Sequence, residues 1–299
     1  MTVAQPGSRA DPLDLNTSHA YGRWSEARLA GYPRRLEDLV VEIRDPYCLS
    51  AAEYNAMADR IRRANMVVYA GPPGMDRDVV MALGRRFGLH RLDHNWLADT
   101  DGLTPLSVAQ AGTRTHYIPY TDRAIHWHTD GYYNAPQRQI RGLLLHCVRP
   151  AASGGDNGLL DPELAYILLR NINPDYIRAL MAPDVLTIPA GTQEGGVPRP
   201  ARPGPVFSVD PATGTLHMRY TARQRNAVWK DDALVREARA CLETILEGEQ
   251  FDCILRGTLQ PGMGLVSNNV LHDRSAFTDS GEAPRLLYRG RYYDRIALS

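Results

Sequence analysis

His126-Trp127-His128-Thr129-Asp130 is the stretch on which the reading of this chain turns. On an extended segment successive side chains leave opposite faces. His128 and Asp130, two residues apart, therefore leave the same face and can grip one metal ion. A second histidine from elsewhere in the chain, His272, completes a set of two His and one carboxylate. Such a set occupies one face of an octahedron and leaves three positions open, as a non-haem Fe(II) centre needs to hold a cosubstrate and dioxygen together. His126 shares that face by the same alternation, so a polar column on an edge strand is the plain structural alternative.

His272 sits at the end of Gly264-Leu265-Val266-Ser267-Asn268-Asn269-Val270-Leu271-His272-Asp273-Arg274, which starts as a short apolar strand after the Pro261-Gly262 turn. Alone, a histidine just past Val270-Leu271 reads equally as a satisfied core residue. The next strand begins after Thr278-Asp279-Ser280-Gly281, and alternation puts Arg285, Arg289 and Arg291 on one face with Leu287. That column is either the solvent face of a strand or a set of inward cations able to receive a dicarboxylate through a bidentate pair.

Composition narrows the class. The chain has 299 residues, 43% hydrophobic and 23% charged, with formal net charge zero, as expected of an ordinary globular protein. Charge balance argues against nucleic acid or an anionic membrane as the partner. Lys230 is the only lysine, so nearly all positive charge is arginine. Cys48, Cys147, Cys241 and Cys253 form no CxxC pair and suggest reduced thiols in a cytoplasm. Residues 1–14 lack an apolar signal core, and no run of about 18 apolar residues occurs. The expectation is a soluble cytoplasmic protein, with a homo-oligomer left open.

The pattern along the chain predicts helices in front and short strands behind. Residues 1–35, rich in Gly, Pro, Arg and Ser, read as a loose arm or wrapping segment; Leu36 to Ile43 reads as a strand. Ser50 with Glu53 is a capping-box pattern opening a helix through Met57, Ile61 and Ala64, and Asp76 to Phe87 predicts another. From about Leu106 short strands dominate, interrupted by helices at 161–171, 175–181 and 231–248. This order suits a mainly β chain with flanking helices, a double-stranded β-helix (jelly roll), as one domain over 36–299 after a 1–35 arm. Gly191–Pro205, rich in Gly and Pro, reads as a lid loop.

Taken together, His128-Thr129-Asp130, Gly154-Gly155-Asp156, Asn269 to His272 and Arg285 through Arg289 resemble the taurine dioxygenase-like (TauD/TfdA) branch of the Fe(II)/2-oxoglutarate-dependent oxygenases. The likeness runs from Leu83-Gly84-Arg85-Arg86-Phe87-Gly88 to the C-terminus. It implies a distorted jelly roll with Fe(II) in its mouth, held by His128, Asp130 and His272. It implies that Arg285, thirteen residues after His272, binds the distal carboxylate of 2-oxoglutarate. Asn157 stands where the taurine enzymes carry a threonine touching that carboxylate, and an amide can still donate. Arg289 matches the position that holds the sulfonate of taurine, which points to a small anionic substrate such as an amino acid or other carboxylate. Tyr132, Tyr133 and His94 fall where they could line the substrate mouth. The reaction implied is oxidation of a C–H bond by dioxygen with release of succinate and CO2. Hydroxylation is the first expectation, and desaturation and oxidative cleavage stay open. Related halogenases lack the carboxylate that Asp130 supplies here.

Two other classes compete. A zinc-type metallohydrolase can also use two His and one Asp with an open water site. A non-catalytic barrel binding a small acid is the other. The absence of GxSxG, P-loop and GxGxxG patterns disfavours an α/β hydrolase or a nucleotide-loop enzyme.

Overall fold

The computed structural model describes residues 11–95, 97–192, 198–281 and 283–298. Ten strands build its two principal sheets. In chain order they are β1 (Val40–Glu42), β2 (Met66–Ala70), β3 (Thr104–Leu106), β4 (Ile125–His128), β5 (Gly142–Arg149), β6 (Asn157–Leu160), β7 (Leu255–Gly257), β8 (Met263–Ser267), β9 (Leu271–Arg274) and β10 (Leu286–Tyr292). The larger sheet has the order β1-β2-β8-β5-β10-β3 and the smaller β7-β6-β9-β4. Neighbours are antiparallel except β1 and β2. Strands far apart in sequence lie side by side in two facing sheets, which is the double-stranded β-helix expected from the sequence.

The run Leu143-Leu144-Leu145-His146-Cys147 is nearly continuous in apolar character because both faces of β5 are covered. Leu144 and Val266 pack outward against helices α2 (Ala51–Ala64) and α3 (Asp78–Arg86) through Met57, Ile61, Val80 and Leu83. Leu145, Cys147, Leu265 and Leu287 point inward and meet Leu159 and Leu255 of the smaller sheet. The capping box opens α2 as the sequence predicts: Ser50 Oγ accepts from the Glu53 amide at 3.2 Å, and the Glu53 carboxylate accepts from the Ser50 amide at 2.7 Å. Such a cap is worth about 1 kcal/mol. Asn65 ends α2 in the left-handed region at φ 56°.

Between β6 and β7 the chain inserts a helical layer, α4 (Pro162–Ile172), α5 (Pro174–Leu180) and α6 (Ala233–Glu247), with its own apolar core around Tyr166, Leu180, Phe207 and Leu242. None of the helices among the described residues is long and apolar enough to cross a membrane.

Three sequence expectations differ from the structure. Ser18–Gly31, read as part of a loose arm or wrapping segment, is a helix (α1). It carries almost no apolar stripe and is held instead by Trp24 packing edge-on to Tyr166 and by Arg28 pairing with Asp161 and Glu163, each at 2.6 Å. Leu36–Leu39, read as strand, is a 3-10 turn closed by Arg35 and Asp38, and only Val40–Glu42 is extended. Gly191–Pro205 is partly ordered into ladders. Gly191–Thr192 pairs with Pro198–Arg199, and Arg202–Gly204 pairs with Leu186–Ile188, while 193–197 lie outside the described residues.

Candidate metal centre and active-site cavity

The His128–Asp130 segment is pinned on both edges. On one side β9 pairs His272 directly opposite His128. On the other, Thr129 exchanges bonds with Tyr220, its amide donating to the Tyr220 carbonyl at 3.0 Å and its Oγ1 accepting from the Tyr220 amide at 3.1 Å. Thr129 is fully buried, so His128 and Asp130 are committed to the opposite face, where they meet His272. One ligand atom from each of the three lies within 4.8 Å of the others, and the two imidazole rings are 4.2 Å apart between centroids. His126, on the same strand face, stays exposed and contributes only its carbonyl.

Each imidazole is oriented by its own backbone. His128 Nδ1 lies 2.9 Å from the His126 carbonyl and His272 Nδ1 2.9 Å from the Val270 carbonyl. A carbonyl can only accept, so both Nδ1 atoms donate and both Nε2 lone pairs are free for a metal. Burial, and then the neighbouring His272, push the His128 imidazole down to about 3. Its neutral, ligating form is therefore the resident one.

Asp130 is fixed by Asn269. The Asp130 amide donates to Asn269 Oδ1 at 2.9 Å, and Asn269 Nδ2 donates back to the Asp130 carbonyl at 2.9 Å and to the Ile140 carbonyl at 2.7 Å. Asn269 holds this clasp from a left-handed φ of 51°. Gly131 follows at φ 69°, where an added Cβ would stand 2.4 Å from Ile140, so the turn after the carboxylate requires glycine. Burial opposes ionisation of Asp130, but Arg289 and then Arg291 outweigh it and hold the carboxyl below its ordinary range. Two imidazoles and an ionised carboxylate on one face are a donor set suited to a divalent transition metal.

The arginine column resolves inward. Arg285 and Arg291 are 4% and 3% exposed, so neither lies on a solvent face. Arg289 Nη1 donates to both Asp130 oxygens at 3.3 and 3.4 Å, and Arg291 pairs with Asp93 and donates to the Tyr133 hydroxyl. Arg285 stacks its guanidinium 5.1 Å from the centre of the Phe277 ring, and Arg274 stacks at 4.7 Å on the same ring. Asn157 lies opposite Arg274 across the β6–β9 ladder, with its Nδ2 donating to the Asp273 carbonyl at 3.0 Å. Gly155, two residues before Asn157, turns the chain beside Phe277 and Arg285 in a left-handed conformation at φ 78°.

In front of His128 and Asp130 opens a cavity of about 610 Å³ whose lining includes Tyr132, Tyr133, Arg289 and Arg291, with His94 exposed in its wall. The Tyr132 ring stands edge-on to His128 at 6.4 Å. Sequence reasoning singled out every member of the His–Asp–His set. It missed Asp93 as the partner of Arg291, and it gave Asn269 no role of its own. A left-handed asparagine just before an apolar pair was the one local signal for that clasp.

A family model described as "Taurine catabolism dioxygenase TauD, TfdA family" matches residues 30–291. A uridine-5'-phosphate dioxygenase from Amycolatopsis sp is 28% identical over 280 residues, spanning 86% of this chain and 97% of that protein. A uridine-5'-phosphate dioxygenase from Streptomyces sp is 32% identical over 199 residues, 64% of this chain and 69% of that one. Among solved structures, asparagine oxygenase in complex with Fe(II), 2S,3S-3-hydroxyasparagine and succinate aligns over 95% of this chain and 89% of its own. Its TM-score is 0.57 at 14% identity, a likeness of fold. The chain belongs to the TauD/TfdA family and is an Fe(II)- and 2-oxoglutarate-dependent dioxygenase.

Proposed function

We propose that His128, Asp130 and His272 hold the Fe(II), that Arg285 and Asn157 receive the distal carboxylate of 2-oxoglutarate, and that Arg289, Tyr132 and His94 face the substrate. The observation that carries this reading is the convergence of three ligand atoms within 4.8 Å, with both Nδ1 atoms already spent on carbonyls. Bound there, Fe(II) and 2-oxoglutarate would activate dioxygen as the oxidant of a substrate C–H bond, with 2-oxoglutarate itself oxidised to succinate and CO2. The protein's residues do the rest. Arg285, buried on Phe277, offers a preorganised fork for a carboxylate in a site of low dielectric. Arg289 neutralises Asp130 on the side facing the cavity, and the tyrosines exclude water around the substrate.

The substrate is a small anionic molecule, and a nucleoside 5'-phosphate is its first candidate, since two relatives are named for uridine-5'-phosphate. We also propose that the 1–35 arm serves a single oxygenase domain over 36–299, a division supported by the family match over 30–291. A cytoplasmic site of action is supported by four free cysteines. The reading is tested by following succinate release and oxygen uptake with uridine 5'-monophosphate. Both should require Fe(II) and 2-oxoglutarate and vanish when Zn(II) replaces iron. Turnover supported by Zn(II) without 2-oxoglutarate would instead mark a hydrolase.

A further inference from the structure

The cavity is lined by seven arginines against two aspartates, Asp93 and Asp130. Both aspartates are already matched, by Arg291 and Arg289. Arg138 also reaches Asp93, at 3.4 Å. The remaining four, Arg199, Arg202, Arg223 and Arg225, come from the inserted segment between β6 and β7. Among the described residues none of these four pairs with a carboxylate. Arg199 Nη2 donates only to the Pro189 carbonyl, at 2.7 Å, and Nη1 reaches the Pro200 carbonyl at 3.5 Å. The Nε of Arg202 is buried without a hydrogen-bond partner.

Arg199, Arg202 and Arg223 are half-buried, and Arg225 is exposed at the rim. Burial, followed by Arg202, lowers the Arg199 guanidinium, and burial, followed by Arg225, lowers that of Arg223. A guanidinium nonetheless stays charged, so the wall holds several positive charges that repel one another and have lost part of their water. Such an arrangement is unfavourable until an anion enters. One carboxylate is satisfied by one bidentate guanidinium, whereas a phosphate monoester brings close to two charges and three terminal oxygens. Tyr132 links this wall to the metal end, its ring edge on His128 and its hydroxyl accepting from Asn226 at 2.8 Å. Asn226 shares a turn with Arg225.

We propose that Arg199, Arg202 and Arg223, with Arg225 at the rim, form a phosphate grip, so that the substrate is a phosphate monoester anchored by its dianionic end at this wall. The inference rests on the dioxygenase reading above and names the residues that would select its substrate. Tyr132 then spaces the anchored phosphate from the metal, and the remainder of the molecule occupies the aromatic part of the cavity.

The test uses anaerobic protein with Fe(II) and 2-oxoglutarate, titrated with uridine 5'-monophosphate, uridine and inorganic phosphate by calorimetry and by the visible charge-transfer band. The expected result is that uridine 5'-monophosphate binds and shifts the band, while inorganic phosphate competes. Arg202→Ala and Arg223→Ala should each weaken the nucleotide at least about tenfold and leave 2-oxoglutarate affinity unchanged. Uridine should bind more weakly and respond to neither substitution. Arg202→Gln, with thermal midpoints for all variants, separates loss of the grip from loss of folding. Unchanged nucleotide affinity in correctly folded variants overturns the proposal, as does failure of both uridine 5'-monophosphate and inorganic phosphate to bind. Failure of the band to form, with arginine-dependent phosphate binding still seen by calorimetry, overturns the metal-site reading and leaves the grip standing.

Discussion

The two ends of the cavity are built on opposite principles. At the metal end the protein satisfies itself. Both imidazoles donate to their own backbone, Asn269 clasps Asp130 in both directions, Arg289 neutralises Asp130, and Arg291 is matched by Asp93. At the arginine wall the charges of Arg199, Arg202, Arg223 and Arg225 meet no carboxylate among the described residues. A self-satisfied site keeps its geometry without a ligand and serves chemistry, which depends on position. An uncompensated one gains most when the matching ligand arrives and serves selection. Substitutions at the two ends should therefore fail differently.

The largest effect is expected at the metal end. His272→Ala removes one of the three proposed protein donors and should abolish stoichiometric Fe(II) binding, measured by calorimetry under anaerobic conditions; retained tight binding would remove His272 from the ligand set. Arg285→Ala should leave iron in place but weaken 2-oxoglutarate by about 2–4 kcal/mol, roughly 30- to 1000-fold, because a buried charge-assisted pair is lost. Normal 2-oxoglutarate affinity in that variant would sink its assignment.

Comparing one arginine from each end sharpens the contrast. Arg289→Ala, beside Asp130, should lower kcat more than it raises KM, since it perturbs the carboxylate at the reacting centre. Arg202→Ala should raise KM and spare kcat at saturation. Identical signatures would erase the distinction between the two ends. A separate effect is on folding. Asn269→Ala loses three buried hydrogen bonds and leaves alanine in a left-handed conformation. It should cost about 2–4 kcal/mol of stability, read by denaturant or thermal unfolding. A variant as stable as the parent would show that the clasp is incidental.

How much the sequence revealed follows the same division. His128, Asp130 and His272 were legible because two-residue alternation and a strand-borne histidine are local patterns, and backbone pairing of β4 with β9 brings them together. The α2 cap at Ser50–Glu53 and the buried run of β5 were legible for the same reason. What stayed hidden depends on partners far along the chain. Helix α1 has little periodicity and is ordered by Tyr166, Asp161 and Glu163, more than 130 residues away. Whether the β10 arginines faced solvent or interior was open until Asp130 and Asp93 were placed beside them. The arginine wall was invisible because its members come from an irregular insertion, and in a chain with a single lysine an arginine by itself carries little signal.

The most direct test of the central claim is anaerobic addition of Fe(II) and 2-oxoglutarate to the metal-free protein, with the Asp130→Ala and Arg285→Ala variants alongside. The expected result is a weak visible charge-transfer band in the parent protein, lost or displaced in Asp130→Ala. In Arg285→Ala it should be recovered only at much higher 2-oxoglutarate concentration. Iron binding without any band in the parent protein, or a band indifferent to both substitutions, would contradict the assignment of this cavity as the Fe(II)/2-oxoglutarate site.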